Sequence, residues 1–397
     1  MMRSLPAASS RPVVTTALGI TLILSWGSSY YLPAVLAGPI AQDTGWPLPW
    51  VVSGLSIGLL VSGLASPVVG RIIHHQGGRM VLATGSGLLA VGLTGLALAP
   101  SVAAFLGGWL VLGAGMSAAL YDAAFGTMGR LYGREARSAI TTLTLWAGFA
   151  STLCWPLSTW LVEVYGWRNA CLAYAALHLA VALPVHLLLI PSAEPADDQA
   201  TGTASRTVQP SSGSSPVLIF VLLAGIQTLA ALVASTLSVH LLALLQMRGL
   251  TAVEAVSLGA LIGPAQVGAR VLEMLVGRRH HPMAAMTVSI GLIATGVALL
   301  ALHVPLLGLA LVLYGGGNGL HTIARGALPL VLFDPRHYSL FLGRLALPSL
   351  VVQAGAPTLG AWLLVGDGTL LLTVLAGAAI LALAFCLLLV GAVRRIE

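Results

Sequence analysis

Four charged residues stand where charge is costly: Asp122, Arg270, Glu273 and Arg325 all fall inside long apolar stretches of the sequence. A charge held at the centre of a bilayer costs about 2.5–3.5 kcal/mol on insertion scales, so such residues are kept for transport chemistry or for pairing. Arg270 and Glu273 are three apart, on one face of a helix, and can neutralise each other. Arg270 also presents a planar fork that matches a carboxylate through two hydrogen bonds. Asp122 lies seven residues before Gly129, and Arg325 lies eight before Phe333. On helices rising about 1.5 Å per residue, both charges then sit about 10–12 Å from the inner ends of their spans. Opposite charges at equal depth suit an ion-paired gate. Each also has partners in its own half, Tyr121 or a serine for Asp122 and a backbone carbonyl for Arg325.

Polar and aromatic side chains form a second group. Trp26, Ser28, Ser29, Tyr30 and Tyr31 crowd the first apolar stretch, Gln227 and Ser235 sit in the seventh, and Asn318 and His321 in the tenth. We take Arg270, Tyr30, Trp26, Asn318 and His321 as the substrate-contacting set, although tyrosines near helix ends equally serve as interface anchors. Trp146 and Trp155 read as packing residues, His178 and His186 as facing packed neighbours, and His240 as lying near the outer surface. No histidine has a carboxylate or thiol partner at metal-ligand spacing. The run Gly315–Gly317 lies inside an apolar stretch, where it serves close helix packing and not phosphate binding. No metal, no cofactor and no enzymatic activity are expected. Energy must then come from a gradient, and Asp122, Glu273 and His321 make protons the favoured ion.

The elements that position these residues are twelve apolar stretches between Val13 and Val393, each long enough to cross a bilayer core that needs about 20 apolar residues. Hydrophobic residues make up 57% of the 397 and charged residues only 8%, against about 25% charged in soluble chains. Continuous apolar runs exclude the alternating pattern of barrel strands, so the fold class is an all-α membrane protein. Residues 1–190 supply a first six-helix bundle and 217–397 a second. The Pro-, Ser- and Gly-rich segment 191–216 between them reads as a flexible linker. All 18 basic residues are arginine. With the amino terminus inside, fourteen of them (Arg3, Arg11, Arg71, Arg79, Arg130, Arg134, Arg137, Arg206, Arg278, Arg279, Arg336, Arg344, Arg394, Arg395) fall on the inner side and only Arg168 and Arg248 on the outer. That bias predicts both termini in the cytoplasm and a multi-pass protein of the cell (inner) membrane. The net charge of +6 therefore reports topology and not a nucleic-acid partner. The first stretch is too long for a signal-peptide core and reads as a retained helix. Cys154, Cys171 and Cys386 lie in separate spans and read as small packing residues.

The two halves echo each other. Gly70-Arg71 and Gly277-Arg278 close spans 2 and 8 and lead into His74-His75 and His280-His281; Gly113-Ala-Gly115 precedes Asp122 as Gly315–Gly317 precedes Arg325; Pro156 and Pro357 stand mid-span in 5 and 11. The stretch Gly70-Arg-Ile-Ile-His74-His75-Gln76-Gly77-Gly78-Arg79 resembles the G-x-x-x-D-R/K-x-G-R/K-R/K loop of the major facilitator superfamily. The resemblance implies two pseudo-symmetric six-helix bundles, close helix approach at Gly70, a tight turn at Gly77, and charges including Arg79 that latch the cytoplasmic side. His74 replaces the usual acid, which would make the latch sensitive to pH; the alternative is a pair of solvated loop histidines. Trp109 occupies the place of an arginine found in many proton-coupled members. Trp155-Pro156-Leu157-Ser158 departs from the glycine-rich pattern of drug antiporters. Trp50-Val-Val-Ser53, Gly113-x-Gly115 with Tyr121, and the loop Arg130–Ala139 are similar to the monocarboxylate-porter-like branch.

The expected function is secondary transport by alternating access, with proton-linked carriage of a small organic anion. The alternatives are efflux of a toxic compound (a drug or an arsenical) and a non-transporting receptor or scaffold. The expected partners are a small-molecule substrate, protons and the lipid bilayer, with the chain acting as a monomer.

Overall fold

The computed structural model describes residues 10–192, 216–277, 280–364 and 368–394. Most of the expected linker at 191–216 lies outside them, as do Arg3, Arg206, Arg278, Arg279 and Arg395. The described residues form sixteen α-helices that build twelve spans. Nine helical runs among them are long and apolar enough to cross a membrane; Val102–Leu189 contains three of the spans, and Leu307–Leu332 supplies the one that remains.

Span 1 is split into α1 (Arg11–Gly27) and α2 (Leu32–Thr44). Pro33 in the first turn of α2 has no N–H to continue the ladder from α1, and Ser28–Tyr31 form a turn instead. Span 2 is α3 (Leu48–Gln76) and span 3 is α4 (Gly78–Ala97), joined through Gly77 at φ 81°, a left-handed turn that glycine adopts without steric cost. Span 4 is split into α5 (Val102–Ala119) and α6 (Tyr121–Tyr132) by an extended Leu120. Neither proline nor glycine dictates that second break. Span 5 is α7 (Ala136–Gly148) with the first part of α8 (Ala150–Leu177), and Gly166 turns the chain into span 6. Span 6 continues through a π-helical turn, His178–Ala182, into α9 (Leu183–Leu189), where Pro184 removes one ladder donor.

Spans 7 to 12 are α10 (Pro216–Met247), α11 with α12 (Ala252–Gly259, Ile262–Val276), α13 (Pro282–Ala301), α14 (Leu307–Leu332), α15 (Tyr338–Leu363) and α16 (Thr369–Arg394). Pro357 inside α15 leaves the Gln353 carbonyl without its helical donor, and Ser235 Oγ of α10 donates to it at 3.1 Å. The next carbonyls are served from the same helix: His240 Nε2 meets Pro357 O at 2.8 Å. His240 is buried, and its contact lies beside the proline kink of α15.

The chain divides into two compact units, one of Met1–Asp197 with Phe333–Leu347 and one of Asp198–Leu332 with Pro348–Glu397. Helix α15 is thus shared: its first ten residues, 338–347, pack in the first unit and the rest, from Pro348, in the second. Cys154, Cys171 and Cys386 are all buried and free.

Candidate functional site

In the first unit the two broken spans meet. The Trp26 ring, at the end of α1, lies 5.2 Å from Tyr30, 5.9 Å from Tyr31 and 5.0 Å from Tyr121 at the start of α6. Tyr31 also meets Tyr30 edge-on at 5.4 Å and Trp155 of α8 at 6.1 Å, while Tyr121 stacks on Phe125 at 5.0 Å. These separations fall within the attractive range for aromatic pairs. Phe125 and Tyr121 are buried and form the floor; Trp26, Tyr30 and Tyr31 are half-buried. Trp155 is 45% exposed, so it is not the packing residue expected from the sequence. By contrast Trp146 does pack, against Gly19, where a Cβ would collide with its ring.

Buried hydroxyl–imidazole bonds hold the break in α1. Ser28 Oγ meets His178 Nε2 at 2.8 Å, beside the π-helical turn. His186 bridges Thr21 Oγ1 at 2.9 Å and Ser86 Oγ at 3.0 Å, tying α1 to α4. Asp122 is half-buried next to Tyr121 in the first turn of α6, where a carboxylate is favoured by the helix dipole.

Trp155 also belongs to an open groove of about 550 Å³ along α8, with Thr152, Thr159, Trp160 and Glu163. Residues 152, 155, 156, 159 and 163 repeat at helical spacing, so they share one face. Two hydroxyls and a carboxylate on that face are poorly suited to lipid. Sequence reading missed this stripe because its polar members are single residues within an apolar run; their spacing was the available signal.

The second unit carries the remaining substrate candidates. Helices α12 and α14 approach closely through glycine: a Cβ on Gly319 would come 2.7 Å from Gln266 Cα. That contact brings Arg270, only 7% exposed, to the α14 backbone, where its Nε donates to the Gly319 carbonyl at 3.4 Å. Gly319 follows the half-buried Asn318 and stands two residues before the buried His321, whose Nε2 has no hydrogen-bond partner among the described residues. Arg325 is half-buried one turn beyond His321 on α14, and Glu273 is half-buried one turn beyond Arg270 on α12. The structure thus gathers Arg270, Asn318 and His321 around one backbone position, and separately gathers Trp26 and Tyr30.

The loop after span 2 is built differently from the solvated pair of histidines allowed for above. His74 is buried in the last turn of α3, with Nδ1 at 2.9 Å from the Arg336 carbonyl. Its ring lies 4.8 Å from His75 and is stacked 5.2 Å from His337, which in turn lies 3.8 Å from Asp334. Gly70 faces the Ser339 carbonyl and Gly129 faces the Tyr338 ring so closely that a Cβ at either would collide. Residues 333–347 are therefore seated on α3 and α6. Arg79, in the first turn of α4, has an Nε that is buried without a hydrogen-bond partner among the described residues. Trp109, standing where the resemblance would put an arginine, is 1% exposed and packs on Gly54 and Gly58.

A profile of the Major Facilitator Superfamily matches residues 17–343. The chain is 34% identical over 154 residues to monocarboxylate transporter 11 of Mus musculus, covering 38% of this chain and 32% of that protein. It thus spans about a third of the length of that curated relative. The human organic anion transporter MFSD10 (TETRAN) has a similar fold, with a TM-score of 0.75 at 18% identity, covering 96% of this chain and 100% of that one. The proton:xylose symporter XylE superposes with a TM-score of 0.70 at 12% identity, covering 94% of each chain. Twelve spans in two internally repeated sets, a superfamily match over most of the length and matching folds lead to one conclusion: the chain belongs to the Major Facilitator Superfamily, as a multi-pass membrane transporter and not an enzyme.

Proposed function

We propose that this transporter carries a small organic anion by alternating access, driven by protons. The observation that carries the reading is Arg270, a guanidinium buried within a span and aimed at the α14 backbone between Asn318 and His321. A buried arginine is suited to a carboxylate that enters with its own charge and replaces water. Asp122, Glu273 and Arg325 supply further charge for coupling. The names of two similar proteins, a monocarboxylate transporter and an organic anion transporter, support the same class. The inner membrane, with both chain ends in the cytoplasm, is the setting that the arginine distribution favours. The deciding experiment is uptake of a panel of radiolabelled carboxylates into proteoliposomes, with and without an inward proton gradient. Acceleration of at least one acid by the gradient is the expected result. If no acid enters under either condition, the anion reading is wrong; the aromatic cluster would then favour efflux of an apolar compound.

Within this reading, Gly70, His74, Gly77 and Arg79 form a cytoplasmic latch that closes on residues 333–347. Its histidines make it pH-dependent. Protonation of His74 in acid adds a cation to a site that already holds the Arg130 charge and the rings of His75 and His337. Acid should therefore release the segment. Ser339 is 4% exposed, so a cysteine placed there reports release. Its labelling by a methanethiosulfonate, normalised to an exposed cysteine at Arg134, should be about threefold or more faster near pH 5.5 than near pH 7.5. In His74→Gln with His337→Gln the pH dependence should vanish; its persistence would remove the histidines from the latch.

A further inference from the structure

Hydroxyls and imidazoles face each other in the core of the first unit. Thr21, Ser25 and Ser28 recur at spacings of four and three, so they share one face of span 1. Span 6 brings His178 and His186 to that face, and α4 adds Ser86. All six side chains are buried. Polar groups are costly in an apolar bundle unless each finds a partner.

The two histidines differ in that respect. The Thr21 hydroxyl donates to the Leu18 carbonyl at 3.1 Å, so it accepts from His186 Nε2, and Nδ1 then accepts from Ser86. His186 is thus closed at both nitrogens and held in one tautomer. His178 meets Ser28 through Nε2, but its Nδ1 has no hydrogen-bond partner among the described residues. Nor has the hydroxyl of Ser25, one turn before Ser28 on the same face. A serine hydroxyl donates as well as accepts, so the bond to Ser28 survives either tautomer of His178.

We infer that His178 carries the coupling proton through the first unit, taking it up at Nδ1 on the Ser25 side and handing another from Nε2 to Ser28, at the break between α1 and α2. The inference rests on the proton-driven reading above and names the group that moves the proton. A hydronium ion reaching Ser25 gives its proton to Nδ1 and leaves as water. The Nε2–H bond breaks as its proton passes to the Ser28 oxygen, whose own proton leaves to water at the break. The ring ends neutral in the opposite tautomer, and a half-turn of the imidazole resets it. The π-helical turn that begins at His178 widens span 6 at this point, a feature that recurs at functional sites.

The ionisable groups on the elements packed around His178 are His186 on α9 and Cys154, Cys171 and Tyr174 on α8, all buried. Tyr174 is already engaged by Ser158 Oγ at 2.7 Å and by the Cys154 carbonyl at 3.3 Å. From α1 and α4 come the hydroxyls named above. None of these groups is a carboxylate or a guanidinium, so no fixed charge among them traps the proton on the ring.

The test compares two modes in proteoliposomes holding the whole chain, with radiolabelled lactate, succinate and phenylacetate as probes and protein-free liposomes as blanks. Uptake driven by an inward proton gradient needs net proton movement. Exchange of labelled acid outside for the same acid inside, at equal pH, does not. In His178→Gln, whose amide keeps a bond to Ser28, driven uptake should fall about tenfold or more, since a positioned proton donor is worth about 10²–10⁴-fold. Exchange should persist. Ser28→Ala should lower the ratio of driven uptake to exchange in the same way, and Ser28→Thr, which keeps a hydroxyl, should restore it. His186→Gln should lower both modes together, because it loosens a fixed tie; a fall in the ratio there as large as in His178→Gln overturns the assignment to His178. Unchanged driven uptake in His178→Gln overturns the relay. So does an equal fall of both modes in that variant, which leaves His178 only the task of holding the break. If none of the three acids enters, the anion reading falls; if one enters but the gradient does not accelerate it, the proton reading falls. In either case this inference goes with it.

Discussion

Replacing Arg270 by alanine is expected to abolish anion transport while leaving the protein in the membrane. The guanidinium is 7% exposed and reaches the Gly319 carbonyl on the neighbouring helix. Truncation removes the group proposed to bind the substrate and also deprives Glu273, one turn along the same face, of a nearby cation. Glu273 is half-buried, so only a modest loss of thermal stability should accompany the loss of transport. Arg270→Lys should rescue poorly, because an ammonium lacks the fork that engages both carboxylate oxygens. Comparison with Glu273→Ala separates the roles. If Arg270→Ala/Glu273→Ala transports better than either single variant, the two residues serve only each other and the substrate role must be abandoned. If the double variant is as inactive as Arg270→Ala, anchoring stands.

Cross-linking residue 126 to residue 339 is expected to stop transport completely and reversibly. A Cβ built on Gly126 would lie 3.3 Å from Ser339 Cβ, close to the separation of about 3.5–4.5 Å that a disulfide requires. The three native cysteines are buried and free, so background reaction should be low. Gly126→Cys/Ser339→Cys should therefore oxidise readily and fasten the start of α15 to α6. Alternating access requires elements to separate during each cycle. A bond across the seated 333–347 segment should reduce uptake to the background level, and a reductant should restore it. Transport that continues in the fully oxidised pair would mean that this segment never leaves α3 and α6, and the latch would be discarded. Gly129→Val offers an independent check. Its side chain would collide with the Tyr338 ring, so it should increase labelling of a cysteine at 339 without any cross-linker.

Much of this protein is local in origin, and local features can be read from the chain. Hydropathy over about 20 residues locates a span whatever surrounds it, because the bilayer leaves a lone helix few other ways to satisfy its backbone. Pro33 and Pro184 end or distort helices by lacking a donor, a property of one residue. The positions of Trp26, Tyr30, Arg270, Asn318 and His321 within spans likewise required no tertiary knowledge. The sequence was ambiguous wherever a role depended on which face a side chain turns and what meets it there. Trp155, expected to pack, is an exposed ring that meets Tyr31, far away in sequence. His74 changed from a loop residue to a buried one because the Arg336 backbone caps it. The break at Leu120 has no proline or glycine to announce it. The division of α15 between two units at Pro348 depends on which neighbours each part meets, which hydropathy does not report. Composition and spacing set which segments enter the membrane and which groups are costly there; contact between distant segments alone decided which of those groups are covered, which are open, and which meet.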